Sequence, residues 1–135
     1  MKKLSSTKYS AGAFNAAMLV LRIGAGILMM HHGYDKLVHF DTMRNMFIDF
    51  MGIGRSASLA LDIFAELFCA LFLVLGLFTR LVTIPLIITM GVALFKAHNA
   101  DVFSKGELPA LYLAAFIVIL FVGPGRISVD GMVGK

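Results

Sequence analysis

Residues 29–37 read MMHHGYDKL, so two imidazoles, a phenol, a carboxylate and an ammonium stand together shortly after the apolar run LVLRIGAG. His98, Asp101 and Tyr112 add further titratable groups downstream. Adjacent histidines on a helix point about 100° apart, so His31 and His32 do not share one compact metal site without local unwinding. Zinc would need His39 or Asp101 beside a histidine pair, and a bis-histidine haem needs a deeper pocket than a helix rim offers, so no metal is assigned. A quinone-like headgroup asks for less: one or two donors at a rim and an apolar slot. His31 or His32, Lys36, His98 and Tyr112 are the candidate binding groups, with Met29, Met30, Phe47 and Phe50 for the slot. The plain alternative is that these polar residues anchor a helix end at a membrane surface.

A second pair of chemical interest lies inside apolar sequence. Arg22 is about 14 Å from His31 along a helix, and Glu66 about 12 Å from Ser58, at 1.5 Å per residue. If His31 and Ser58 end neighbouring antiparallel helices on one side, the two charges share a depth. An ionised group alone in hydrocarbon costs several kcal/mol or more, and a partner of opposite sign is the economical remedy. The expectation is therefore a buried Arg22–Glu66 ion pair, serving either to fix helix register or to support function.

Composition defines what must position these groups. Of 135 residues, 59% are hydrophobic and 15% charged, with mean hydropathy +0.89, which is outside the range of ordinary globular domains. Four apolar blocks, at about 11–31, 58–78, 81–97 and 108–122, predict an all-α fold: an integral membrane antiparallel four-helix bundle forming a single domain over 1–135. The last two blocks are short for a span. Pro109 suits the first turn of a helix and GPG at 123–125 terminates it, while the few residues at 76–80 force a tight hairpin between the second and third helices. In FDTMRNMFIDFMG, Phe40, Met43, Phe47, Phe50 and Met51 recur at helical spacing with Asp41 placed to cap, predicting a short amphipathic interfacial helix over 40–51. In an antiparallel order the end of helix one, the end of helix three and the start of helix four meet at one surface, which collects His31, His32, Lys36, His98 and Tyr112.

MKK before an apolar stretch imitates a signal peptide, but Arg22 interrupts the h-region and no A-x-A site follows, so the segment reads as a retained first helix. The lone Cys69 leaves no internal disulfide or CxxC pair. Six cations (Lys2, Lys3, Lys8, Arg80, Arg126, Lys135) fall on the side of the termini against five opposite (Lys36, Arg44, Arg55, Lys96, Lys105), a small bias that places both termini in the cytoplasm. The net charge of +4 belongs to membrane flanks, and no spaced basic and aromatic pattern points to nucleic acid.

Stripes at spacings of three or four, Arg22, Gly26, Met29, Gly33 and Lys36 on helix one and Asp62, Glu66, Cys69, Leu73, Gly76 and Arg80 on helix two, are expected to face each other. The segments RIGAGILMMHHGYDKL, AELFCALFLVLGLFTRL and GPGRISVDG, in that order, resemble the DoxX family of small four-helix bacterial membrane proteins, from roughly Val20 to Met132. The family pattern falls on Arg22, Gly26, Gly33, Lys36, Glu66, Gly76, Arg80, Gly125, Arg126 and Asp130. The resemblance implies a multi-pass protein of the bacterial plasma (inner) membrane, associated with quinone-linked redox complexes of the quinol oxidase or thiosulfate:quinone oxidoreductase kind. Such similarity concerns the scaffold and does not itself assign catalysis.

Two functions follow. One is a membrane subunit of a quinone-linked redox complex, at most a non-autonomous oxidoreductase subunit, that binds a quinone-like headgroup or a redox partner at the polar end. The other is a non-enzymatic scaffold or small-solute carrier in which the same residues are register pins and rim anchors. The partners implied are the lipid bilayer, protein subunits of a redox complex and further copies of the chain; no self-contained redox cofactor is visible in the sequence.

Overall fold

The computed structural model describes residues 6–45, 49, 52–97, 103 and 106–133, and all regular structure among them is helical. Helix α1 spans Ala11–Val38, about 42 Å at 1.5 Å per residue. It starts where extended Ser10 accepts a hydrogen bond from the Ala13 N–H at 3.0 Å. The expected end at His31 is wrong by seven residues. GYDKLV contains no stop signal beyond one glycine, worth only about 1 kcal/mol against a helix, so MMHHGYDKL is helical throughout.

The expected interfacial helix over 40–51 is a single turn among the described residues, α2 at Phe40–Met43, followed by a turn at 44–45. His39 occupies the cap position and Asp41 the first turn. Met46, Phe47, Ile48, Phe50 and Met51 lie outside the described residues.

The second long helix, Arg55–Leu75, joins α3 (Arg55–Phe64), one π-helical turn (Ala65–Cys69) and α4 (Ala70–Leu75). It ends at Gly76, whose φ of 73° allows Leu77 N–H to reach Phe72 O at 2.9 Å and Gly76 N–H to reach Leu73 O at 3.1 Å, a Schellman closure. The hairpin is as tight as expected, since α5 (Thr79–Val92, continued by a π turn at Ala93–Ala97) starts after Phe78. Helix α6 spans Glu107–Val122, with Pro109 in its first turn and Gly123 at φ 92° ending it. A short α7, Val129–Met132, follows.

Helix α1 packs on Arg55–Leu75, α5 packs on α6 and on the Ala65–Cys69 turn, and α6 returns to α1. Met18, Met29, Leu73, Leu86, Phe116 and Ile119 belong to the shared core. Two helices, α1 and Arg55–Leu75, are long and apolar enough to cross a bilayer; Thr79–Phe95 and Glu107–Val122 are apolar but shorter. Polarity is inverted relative to a water-soluble fold: Arg22 and Glu66 are 1% and 2% exposed, while Val20, Leu111 and Phe121 are 71%, 68% and 76% exposed. Apolar surface on that scale requires an apolar surrounding.

Candidate functional site: a polar cavity beside a lysine held by two carboxylates

Two glycines set the register of α1 on its neighbour. A Cβ at Gly33 would lie 3.0 Å from the carbonyl carbon of Glu66, and one at Gly26 would press on Val74 and on Ala70 O. Close approach of this kind is the use of small residues in packed apolar helices. One turn beyond Gly33, the Lys36 ammonium reaches Glu66 Oε2 at 2.5 Å and also binds Asp62 Oδ2. Asp62 and Glu66 stand four residues apart, so one face of the helix presents both carboxylates, and Glu66 sits in the π turn. Such turns recur at functional sites because they redirect one side chain without ending the helix.

Beside this cluster is a cavity of about 230 Å³ lined by Met29, His32, Lys36, Glu66, Met90, Leu108, Pro109 and Tyr112. The His32 ring meets Tyr112 edge-on at 5.9 Å, and Tyr112 stacks on Phe116 at 5.9 Å. Neither the imidazole of His32 nor the hydroxyl of Tyr112 forms a hydrogen bond to any described residue, so both retain their capacity for a ligand.

Of the binding groups expected from sequence, His32, Lys36 and Tyr112 converge here, together with Glu66 from the expected ion pair. His31 does not: it is exposed, its ring is 6.3 Å from that of His32, and it is not among the residues lining the cavity. Met29 lines the cavity, whereas Met30 packs against the core. His98 and Asp101 lie outside the described residues, as do Phe47 and Phe50. Asp62 is the important partner that the sequence reading placed in the helix stripe without assigning it to Lys36. Its position four residues before Glu66, opposite a lone lysine, is the signal that carries it.

The expected Arg22–Glu66 pair is replaced by two separate arrangements. Because α1 runs on to Val38, Gly33 and not Arg22 is level with Glu66, a displacement of eleven residues or about 16 Å. Arg22 instead meets the C-terminal end of the second long helix. Its Nη1 donates to Leu73 O at 3.3 Å and Val74 O at 3.1 Å, and its Nη2 donates to Ile127 O. The unsatisfied carbonyls at a helix C-terminus carry partial negative charge, so they accommodate a buried guanidinium, and the nearby Asp130 carboxylate adds to that field.

The remaining motif residues join Arg22 at that opposite end. Asp130 accepts from Phe78 N–H and Thr79 N–H, each at 2.9 Å, and its own N–H donates to Gly76 O at 2.9 Å. Arg126 N–H donates to Asn15 Oδ1 at 3.0 Å, and Gly125 takes φ 80° beneath it. These contacts close the α4–α5 hairpin over the start of α1.

Helices throughout the described residues, apolar outer faces and a paired-charge cluster beside an internal cavity define a helical membrane protein. The DoxX family model matches residues 17–99, and the chain belongs to the DoxX family. It is 28% identical over 126 residues to inner membrane protein YphA of Escherichia coli (strain K12), covering 84% of this chain and 87% of that relative. No solved structure matches it.

Proposed function

We propose that the chain is a four-span inner-membrane subunit of a quinone-linked redox complex, and that the cavity between His32 and Tyr112 receives a quinone-like headgroup. One observation carries this reading: two side chains able to hydrogen-bond, His32 and Tyr112, line a small cavity without hydrogen-bond partners among the described residues, next to the Lys36–Asp62–Glu66 cluster. The donor set fits a planar ring with carbonyl oxygens, and Met29, Met90, Leu108 and Pro109 supply apolar walls for it. A volume of about 230 Å³ suits a ring and excludes a whole isoprenoid tail, which must leave toward lipid.

In this reading His32 and Tyr112 orient the ring through its oxygens. Lys36 holds Glu66 at the cavity wall and binds Asp62 beside it, which places a fixed charge cluster next to the ring. A bound quinone would supply the electron-accepting chemistry, and the electrons would come from a partner subunit. The alternative scaffold reading draws on a different observation. Arg22 and Lys36 each tie α1 to Arg55–Leu75, which is what a rigid platform for a partner needs.

Titration of a short-chain ubiquinone analogue into the purified protein separates the two. The quinone site gives saturable binding that weakens at least tenfold in both His32→Ala and Tyr112→Phe. Weak, unsaturable binding, unchanged by either substitution, leaves the scaffold.

A further inference from the structure

At the end of the molecule remote from the quinone cavity, a groove of about 920 Å³ runs between the start of α1, the α4–α5 hairpin and the segment after α6. Two arginines line it. Arg80 is anchored by long contacts to Phe121 O (3.5 Å) and Val122 O (3.4 Å), while the guanidinium of Arg126 makes no hydrogen bond or ion pair with any described residue. One carboxylate, Asp130, also lines the groove, but its two oxygens accept the Phe78 and Thr79 amides. Among its described lining residues the groove thus has two cations against one committed anion.

A second feature determines what kind of anion belongs there. Leu81 lines this groove and also a second, apolar one of about 460 Å³ between the second long helix and α5, walled by Phe64, Phe68, Phe72 and Pro85. From Phe72 back to Phe64 that groove follows the helix for about 12 Å at 1.5 Å per residue. A cationic recess at a helix end, joined through one shared wall to an apolar channel on the outer surface, has the two-part chemistry of a phospholipid. A soluble anion would use only the first part.

We propose that Arg80 and Arg126 bind the phosphate of an anionic phospholipid, one acyl chain of which lies in the Phe64–Phe72–Pro85 groove. Guanidinium forks match phosphate oxygens, and cations at a span end draw anionic lipid to it. Arg80 lines the groove together with Leu81 and Val122, and its long aliphatic stem allows a guanidinium at a span end to reach the interface.

The test is native mass spectrometry of the full-length protein after equilibration in detergent with equal phosphatidylglycerol and phosphatidylcholine. The expected result is retention of one phosphatidylglycerol at least fivefold above phosphatidylcholine. Arg126→Gln, which removes no hydrogen bond or ion pair of the guanidinium with the described residues, should lower that retention at least fivefold, and Arg55→Gln at the other end should not. Neither 10 mM inorganic phosphate nor deacylated glycerophosphoglycerol should displace the lipid. Equal retention of both lipids, indifference to Arg126→Gln, or displacement by phosphate alone would each overturn the proposal, the last by reducing the site to one for a free anion. Should Arg80→Gln fail to fold, Arg126→Gln still decides the outcome.

Discussion

Gly33 lies against the backbone of Glu66 so closely that a methyl group added to it would stand 3.0 Å from the Glu66 carbonyl carbon and from the Leu67 nitrogen. The obstacle is helix backbone, which cannot rotate aside as a side chain tip can. Gly33→Ala should therefore force α1 off its neighbour, cost about 1–3 kcal/mol, and lower the thermal midpoint in detergent. Gly24, on the same helix, has nothing within 4 Å of an added Cβ. Gly24→Ala should leave the midpoint unchanged or raise it. Equal effects of the two substitutions would refute close packing as the role of Gly33.

Separation of the two charge clusters gives a second expectation. Lys36→Met leaves two carboxylates facing each other without their cation, and breaking a buried pair in this way costs about 3–5 kcal/mol where solvent is excluded; Lys36 is 22% exposed, so the lower end applies. Adding Glu66→Gln to Lys36→Met should recover part of the loss, a coupling of about 0.5–3 kcal/mol. Arg22→Met and Glu66→Gln should instead be additive within about 0.5 kcal/mol, because Arg22 binds carbonyls of Leu73, Val74 and Ile127. Chemical denaturation in mixed micelles measures both cycles.

The contrast between those cycles marks where sequence reading reaches its limit. Spacing put Gly33 and Lys36 on one stripe and Asp62 and Glu66 on another, since residues three and four apart share a helical face whatever the tertiary structure. The level at which two stripes meet depends on where each helix ends. Nothing between His31 and Val38 announces that end, so the sequence alone pairs Arg22 with the wrong depth. The π turn at Ala65–Cys69 follows from packing, not from local residue preference, and leaves no mark in the pattern. Tyr112 was legible because antiparallel order alone brings the start of α6 to the end of α1. The partners of Asp130 lie more than fifty residues away, beyond the reach of any local rule.

Asp130 provides a third expectation. Its two oxygens accept the amides of Phe78 and Thr79 at the start of α5, the service of an N-cap delivered from a distant segment. Asp130→Ala should cost about 1–2 kcal/mol and loosen the α4–α5 hairpin. Asp130→Asn keeps one acceptor and should cost less. Hydrogen exchange of the Phe78 and Thr79 amides reads the effect directly: it should accelerate in Asp130→Ala more than in Asp130→Asn, and unchanged protection would remove Asp130 from this role.

The fourth expectation concerns how many helices cross the membrane. Arg126 N–H bonds Asn15 Oδ1, so the segment after α6 returns to the start of α1. Two topologies allow that return. If α1 and Arg55–Leu75 alone cross, everything after Gly76 lies on the side of the N-terminus, residue 104 included. If α5 and α6 also cross, residue 104 lies on the opposite side, and the 16 residues of Glu107–Val122, about 24 Å long, require local thinning of a hydrocarbon core of about 30 Å. The apolar outer faces of both short helices, with Ile84, Ile88, Leu111 and Val118 all exposed, favour crossing, because water beside them would be unfavourable. Single cysteines at residues 5, 104 and 135 in a Cys69→Ala background should therefore label from opposite sides in spheroplasts. An impermeant maleimide is expected to reach residue 104 from outside and residues 5 and 135 only after lysis. Labelling of all three from one side would establish the two-span arrangement, and reversal of the sides would overturn the cytoplasmic placement drawn from the charge bias.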